Sequence, residues 1–401
     1  MASNTDDELN DVVILSAIRT PIGSINGCLA LLKAHQLGGV AIRGALAQLA
    51  GTITSDEINE VIMGQVLTAN EGQNPARQAA RTGGVPYFIP ATTVNMVCGS
   101  GLKAVTLAAQ AIRSGDSNLI IAGGQESISQ APHCILMRHG KKMGDNSFVD
   151  SVVHDGLTDA FNHVHMGITA ENIAETCNVT RQDQDGFALQ SQVKCEEAVS
   201  LGHFDAEIEP IIISSAKNDL EIRYDECPKK ATSLDSLSKL ETIFKEAGTV
   251  TAGNAAGLAD GAAAFVLCSY RTAKLKQQPP LAKIVSWAQT GIDPLIMGLA
   301  SVKAIQEALR KANWPIETID ILELNETYAA HAVAIIRELR IDPEKVNVNG
   351  GAIALGHPLG ASGARILVTL IHTLKRTGLK RGCAALSIGG GMGIAICIEA
   401  C

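Results

Sequence analysis

Four short stretches of this 401-residue chain combine a reactive side chain with glycine. "VNMVCGSGL" (94–102) ends an apolar run at Cys98, and "NGGAIALGHPLGASG" (349–363) sets His357 between glycines. "LNETYAA" (324–330) carries Asn325 and Glu326, and "LSIGGGMG" (386–393) carries Ser387 and Gly389. A thiol, an imidazole, an amide and glycine N–H groups are the parts of an acyl-transfer site. The thiolate attacks a carbonyl while amide N–H groups and an imidazole N–H hold the oxyanion.

Those residues need elements to carry them. Ala91 to Val97 reads as a buried strand, and "GSGLKAVTLAAQAIRSG" as the helix after it. Cys98 then sits on a strand-to-helix turn, where free N–H groups and the helix dipole favour a thiolate. Each residue also has a plainer reading: Cys98 as a small core thiol, His357 as a structural histidine, Asn325 as a helix cap. What favours chemistry is that all four fall at strand ends of one repeated pattern.

The repeat is written in strands and helices. "DVVILSA", "LGGVAIRGALAQLA", "INEVIMGQV", "NPARQAARTGG", "ATTVNMV", "GLKAVTLAAQAIRSG" and "SNLIIAGG" alternate strand and helix in the first part. "LAKIVSWA", "LASVKAIQEALRKAN", "IDILELN", "TYAAHAVAIIREL", "KVNVNGG", "GASGARILVTLIHTLKRTG" and "CAALSIGGG" repeat that order in the last. The alternation predicts an α/β fold of two related halves with parallel sheets. Residues 128–252 break the pattern with charges and turn residues, as an insertion that caps the sheets would.

Composition excludes other classes. With 46% hydrophobic and 18% charged residues, the chain reads as globular, and no apolar segment is long enough for a membrane. A net charge of -8 argues against nucleic acid. The ten cysteines form no CxxC pair, and "HVH" (163–165) has no further ligand set, so no metal is expected. The N-terminus "MASNTDDELND" is acidic and Arg-free and "CIEAC" lacks a peroxisomal ending, which predicts the cytosol.

The motifs "SAIRTPIGSINGCLA", "NMVCGSGLKAV", "DGLTDAFNHVHMGITAEN", "GTVTAGNAAGLADGAAA", "GGAIALGHPLGASGARI" and "IGGGMGIA" run nearly end to end. In them the chain resembles the thiolases, in particular cytosolic acetoacetyl-CoA thiolases (acetyl-CoA C-acetyltransferases). The resemblance implies a five-layered α-β-α-β-α core plus an inserted loop domain. Its N-terminal half would be 1–127 and 253–278, its coenzyme A-binding loop domain 128–252, and its C-terminal half 279–401. It implies a homodimer or homotetramer, no cofactor beyond the coenzyme A thioester as substrate, and Cys98 as the residue that takes the acyl group. His357 would activate Cys98 and, with a water on Asn325, form one oxyanion hole; the Cys98 amide and a glycine amide near Gly389 would form the other. Leu157, His165, Met166, Lys229, Phe244 and Ala252 would line the coenzyme A path.

Departures from the family pattern cluster at the same place. Ser387 stands where thiolases carry a second cysteine, the acid/base of carbon–carbon bond chemistry. Thr327 and Tyr328 replace a small residue and a phenylalanine, Ala256 replaces a serine near the thioester, and Lys229 replaces an arginine. A serine hydroxyl is a far poorer base near neutral pH than a tuned thiol. Three functions stay open at this point: an acyltransferase with impaired condensation and thiolysis, an acyl-CoA thioesterase, and a non-catalytic acyl-CoA-binding or scaffold protein.

Overall fold

The computed structural model describes residues 9–213 and 219–401; the first eight residues of the acidic N-terminal stretch lie outside them. Strand β1 (Val12–Arg19) is followed by α1 (Ala34–Ala47), β2 (Glu60–Gly64), α2 (Pro75–Thr82), β3 (Ala91–Val94), α3 (Ser100–Ser114) and β4 (Leu119–Glu126). The inserted region contributes α4 (Met166–Thr176) and α5 (Arg181–Ser200), and β5 (Ala259–Ser269) returns to the first sheet. The last part runs β6 (Ala282–Gly291), α6 (Ala300–Ala312), β7 (Ile321–Leu324), α7 (Ala329–Leu339), α8 (Leu359–Thr377), β8 (Arg381–Ile388) and β9 (Met392–Ala400).

The strands lie in the order β7-β8-β9-β6-β1-β5-β4-β2-β3. Read outward from the centre, the two halves are copies: β1-β5-β4-β2 matches β6-β9-β8-β7. They join where Val13 and Ile14 pair with Lys283 and Ala282. Alternate strand residues face opposite sides. Val13 and Leu15 pack under α1 and α2, while Val12 and Ile14 face a central layer built on α3 and α8. Leu322, Leu324 and Ala385 pack under α6 and α7. These are the five layers. Every residue of α8 from Leu359 to Ile371 is buried, as a helix between two sheets requires.

The expectation of parallel sheets is corrected. Only β2–β3, β2–β4 and β7–β8 are parallel, and the central strands β1, β4, β5, β6, β8 and β9 pair antiparallel. Two expected strands also differ. β3 is an edge strand with Thr92 exposed, and it stops at Val94, three residues short of Val97. "KVNVNGG" keeps only a bridge from Val346 to Leu322. There the Asn347 side chain replaces a strand partner: its Oδ1 accepts from the Leu324 amide at 2.7 Å and its Nδ2 donates to the Leu324 carbonyl at 2.8 Å.

Candidate active site

Cys98 and His357 occupy matching positions in the two halves. Each lies three residues before a glycine in the first turn of a central helix, Gly101 in α3 and Gly360 in α8. Those glycines touch: a Cβ on Gly101 would lie 2.9 Å from the Gly360 carbonyl and the Ala364 nitrogen. No larger residue could stand there, so the two helix starts, and the side chains just ahead of them, are brought together by the absence of side chains.

The turn before Cys98 is strained. Val97, a β-branched residue, has φ 46°, a conformation that costs on the order of 1–3 kcal/mol. Ser100 holds it: its hydroxyl donates to the Val97 carbonyl at 2.6 Å and accepts from the Met96 amide at 2.8 Å. Cys98 is buried, and burial pushes its thiol up to about 12, against the opposing pull of the Gly389 amide and its own amide. The expected dipole-lowered thiolate is thereby corrected: desolvation outweighs the helix terminus, and the resting group is a neutral thiol.

His357 is neutral as well, lowered to about 3 by burial and then by the charge of Arg365. Its Nδ1 lies 2.5 Å from Ser362 Oγ, and that hydroxyl lies 2.9 Å from the Pro358 carbonyl. A carbonyl can only accept, so the Ser362 proton goes to Pro358 and His357 Nδ1–H donates to Ser362. Nε2 keeps its lone pair and has no protein partner. This tautomer can take a thiol proton.

Asn325 emerges from the end of β7, its amide anchored on the Ala385 carbonyl at 3.0 Å. Its Nδ2 donates to Thr327 Oγ1 at 3.1 Å, and its Oδ1 is free. Glu326 points the other way, accepting from Ser191, Asn347 and the Ile353 amide, so it braces the loop rather than the site. Ser387 is buried at the end of β8, donating to the Gly298 carbonyl at 2.6 Å with Ser301 Oγ at 3.1 Å.

The inserted region supplies the far wall. His165 caps α4, accepting from the Gly167 amide at 3.0 Å, and stacks on Phe244 at 4.6 Å. Met166 lies beside Gly389, its sulfur 3.5 Å from where a Cβ would stand. Leu157 packs on the central cluster. Lys229 and Ala252 line one cavity of about 190 Å³ with Gln192, and Lys229 and Gln192 line a second of about 460 Å³ with Lys230 and Tyr224. The larger cavity of about 600 Å³ near Asp11, Lys283 and Cys401 holds none of the residues singled out from the sequence. His163 stands in a turn at φ 56°, and no cluster of metal-ligating side chains occurs among the described residues.

One strand of backbone ties the two sides together. Ala256 N donates to the Thr327 carbonyl at 3.0 Å, Ala329 N donates to the Asn254 carbonyl at 2.8 Å, and His357 N donates to the Gly257 carbonyl at 2.9 Å. Residues 254–257 thus hold Tyr328 at one end and His357 at the other.

Sequence reasoning missed Glu126. This carboxylate, wholly buried at the end of β4, accepts from the Val66 and Leu67 amides at 3.1 Å and from the Gly360 amide at 2.8 Å. It caps α8 from the opposite half, a position for which Pro358 has no side chain to offer. Burial raises it to about 7.

Comparison with known proteins agrees with this geometry. The thiolase N-terminal domain matches residues 12–271 and the thiolase C-terminal domain residues 278–400. The chain is 52% identical over 390 residues to the cytosolic acetyl-CoA acetyltransferase of Rattus norvegicus, covering 97% of this chain and 98% of that one. It is 52% identical over 393 residues to the acetyl-CoA acetyltransferase of Cupriavidus necator, covering 98% and 100%. The crystal structure of the Bacillus anthracis acetyl-CoA acetyltransferase superposes with a TM-score of 0.95 at 40% identity, over 98% and 99% of the two chains. Two copied halves, two touching helix starts and matches along nearly the whole length lead to one conclusion: the chain belongs to the thiolase family.

Proposed function

We propose that this protein is an acyl-CoA acyltransferase of the acetyl-CoA/acetoacetyl-CoA type, working through an acyl-enzyme on Cys98. The observation that carries the proposal is the pair of amides, Gly389 and Cys98, beside the Cys98 sulfur. An oxyanion formed by attack of that sulfur needs such donors, which supports the reading. His357 Nε2 takes the thiol proton as the sulfur attacks the thioester carbonyl, and returns it to the departing coenzyme A. Asn325 and His357 serve a second oxyanion.

Coenzyme A lies along the inserted region, past Leu157, His165, Met166, Phe244 and Ala252, with Ala256 near the thioester and Lys229 toward the phosphates. No cofactor or metal takes part. The N-terminal half spans 1–127 and 253–278, the loop domain 128–252 and the C-terminal half 279–401. The protein acts in the cytosol as a homo-oligomer. The exposed edge of β3 and the neighbouring Tyr87 and Phe88, 74% and 71% exposed, support a partner copy there.

Ser387 alters the second chemical step. Its hydroxyl is committed to the Gly298 carbonyl, and an ordinary serine has no proton to give or take near neutral pH. Condensation and thiolysis through Ser387 are therefore impaired relative to a cysteine. The same observation favours the second reading, a thioesterase in which water resolves the Cys98 acyl-enzyme. A non-catalytic binding role leaves the arrangement around Cys98 without a purpose.

Brief exposure to acetyl-CoA is expected to add one acetyl group by intact-mass spectrometry, lost in Cys98→Ala. An acetyl group on a different cysteine, or none on the wild-type protein, would overturn the assignment.

A further inference from the structure

Tyr328 packs with Met166 and Phe244 in one buried cluster and carries a phenol hydroxyl. Its ring meets Phe244 edge-on at 6.1 Å and His331 edge-on at 5.1 Å. Phe244 in turn stacks on His165, so the ring stands at the inner end of an aromatic row. The backbone fixes it doubly, through a bridge to Ala255 and the hydrogen bonds on either side of it to Asn254 and Ala256. The residue is 6% exposed. Its hydroxyl makes no hydrogen bond to the described residues, yet it is not among the polar atoms sealed from solvent. Burial, and then the nearness of Cys98, raise its ionisation above the ordinary tyrosine value. It rests as a neutral acid.

We propose that Tyr328 is the second acid–base residue of this site, passing the proton that Ser387 cannot. The inference rests on the acyl-enzyme reading above. In thiolysis, the Cys98 sulfur attacks the 3-keto carbonyl of acetoacetyl-CoA, and His357 takes its proton. The bond between C2 and C3 breaks, leaving acetyl on Cys98 and the electron pair on C2 as an enolate. Tyr328 gives its phenol proton to C2, releasing acetyl-CoA. The phenolate then takes the thiol proton of incoming coenzyme A, whose sulfur attacks the acetyl group. Cys98 leaves as thiolate and recovers its proton from His357. Condensation is the same sequence reversed. A phenol is by nature a stronger acid than an alkyl hydroxyl, with an ordinary pKa of about 10; burial raises this one, and the Ser387 hydroxyl, equally buried, is also tied to the Gly298 carbonyl.

The test is Tyr328→Phe, which keeps the ring and removes the proton. Thiolysis of acetoacetyl-CoA is expected to fall about 10²-fold or more. Exchange of the acetyl-CoA methyl protons with deuterated solvent, followed by NMR, is expected to disappear. Acetylation of Cys98 by acetyl-CoA is expected to continue, which a collapsed pocket would not allow. A ring-fluorinated tyrosine at position 328, more acidic but nearly the same shape, is expected to shift the pH profile of exchange downward. Unchanged exchange and thiolysis in Tyr328→Phe, or no exchange in the wild-type protein, would overturn the role of Tyr328 with the acyl-enzyme reading intact. Failure of wild-type Cys98 to acetylate would instead bring down the acyl-enzyme reading itself.

Discussion

The two halves build the same strand ends and use them differently. In the first half, β4 ends in Glu126, a carboxylate fully occupied by three backbone amides. In the second half, the matching strand β8 ends in Ser387 and leads into Gly389, beside Cys98. The first half contributes the Cys98 thiol with its own amide and a brace, and the second contributes the His357 imidazole, the Asn325 side chain and the Gly389 amide. At the helix starts the two halves place Cys98 and His357 alike, whereas at the strand ends they differ: Glu126 is committed to backbone amides of both halves and Ser387 is not. Glu126 makes the dependence explicit, since it belongs to one half and caps the helix that follows His357 in the other.

Arming the second strand end is expected to have the largest effect. Ser387→Cys replaces a committed hydroxyl with a thiol of usable acidity, and acetoacetyl-CoA thiolysis is expected to rise by about 10²–10⁴-fold. Hydrolysis of the acyl-enzyme, which needs no carbon acid, should change much less. A wild-type rate already equal to that of the variant would show that the route through Tyr328 is as fast as one through a cysteine at this strand end, and that Ser387 is no impairment.

Removing the first strand end should cost stability before it costs chemistry. Glu126→Ala strands three buried amides, each worth about 1–3 kcal/mol when unpaired. A loss on the order of 3 kcal/mol in urea unfolding is expected, with a smaller loss in Glu126→Gln, which keeps an acceptor. Equal stability of wild-type protein and Glu126→Ala would sink the idea that this residue braces α8.

The smallest effect is in pH, and it has opposite signs in the two halves. His331, buried in α7 near the Thr169 backbone, is lowered by burial to about 3, as His357 is. Their unfolded pKa is about 6.5. The neutral rings therefore contribute stability that is complete above about 6.5 and lost as pH falls toward about 3. Glu126 is raised to about 7 from about 4.3 unfolded, so its contribution is complete below about 4.3 and lost as pH rises toward 7. Urea midpoints measured from pH 4 to 7 should steepen toward acid, and His331→Gln should flatten that limb. An acid limb unchanged in the variant would place the titration elsewhere.

Much of this arrangement was legible in the sequence. Cys98 and His357 announce themselves because a close helix crossing permits only glycine around them, and such runs are conspicuous. The repeat was legible because strand and helix have different periods. Strand direction was not: a run such as "AAAFVLCS" in β5 is apolar on both faces whether its neighbours are parallel or antiparallel. The strand expected at "KVNVNGG" failed because a buried amide does the work of a backbone ladder, which alternation cannot reveal. Glu126 was invisible for a similar reason: a lone acid after "GGQ" gains its meaning from Gly360, 234 positions away in the chain.

The neutral, enclosed state of Cys98 has a consequence for survival as well as for catalysis. The chain carries ten free thiols, and electrophiles and peroxides attack thiolates rather than thiols. Cys134 and Cys401 are exposed and meet such agents first. On the proposed mechanism, Cys98 becomes reactive only when a bound thioester lies within reach and His357 accepts its proton. On that mechanism, chemical damage goes first to the exposed cysteines, and the same burial that makes Cys98 wait for substrate shields it.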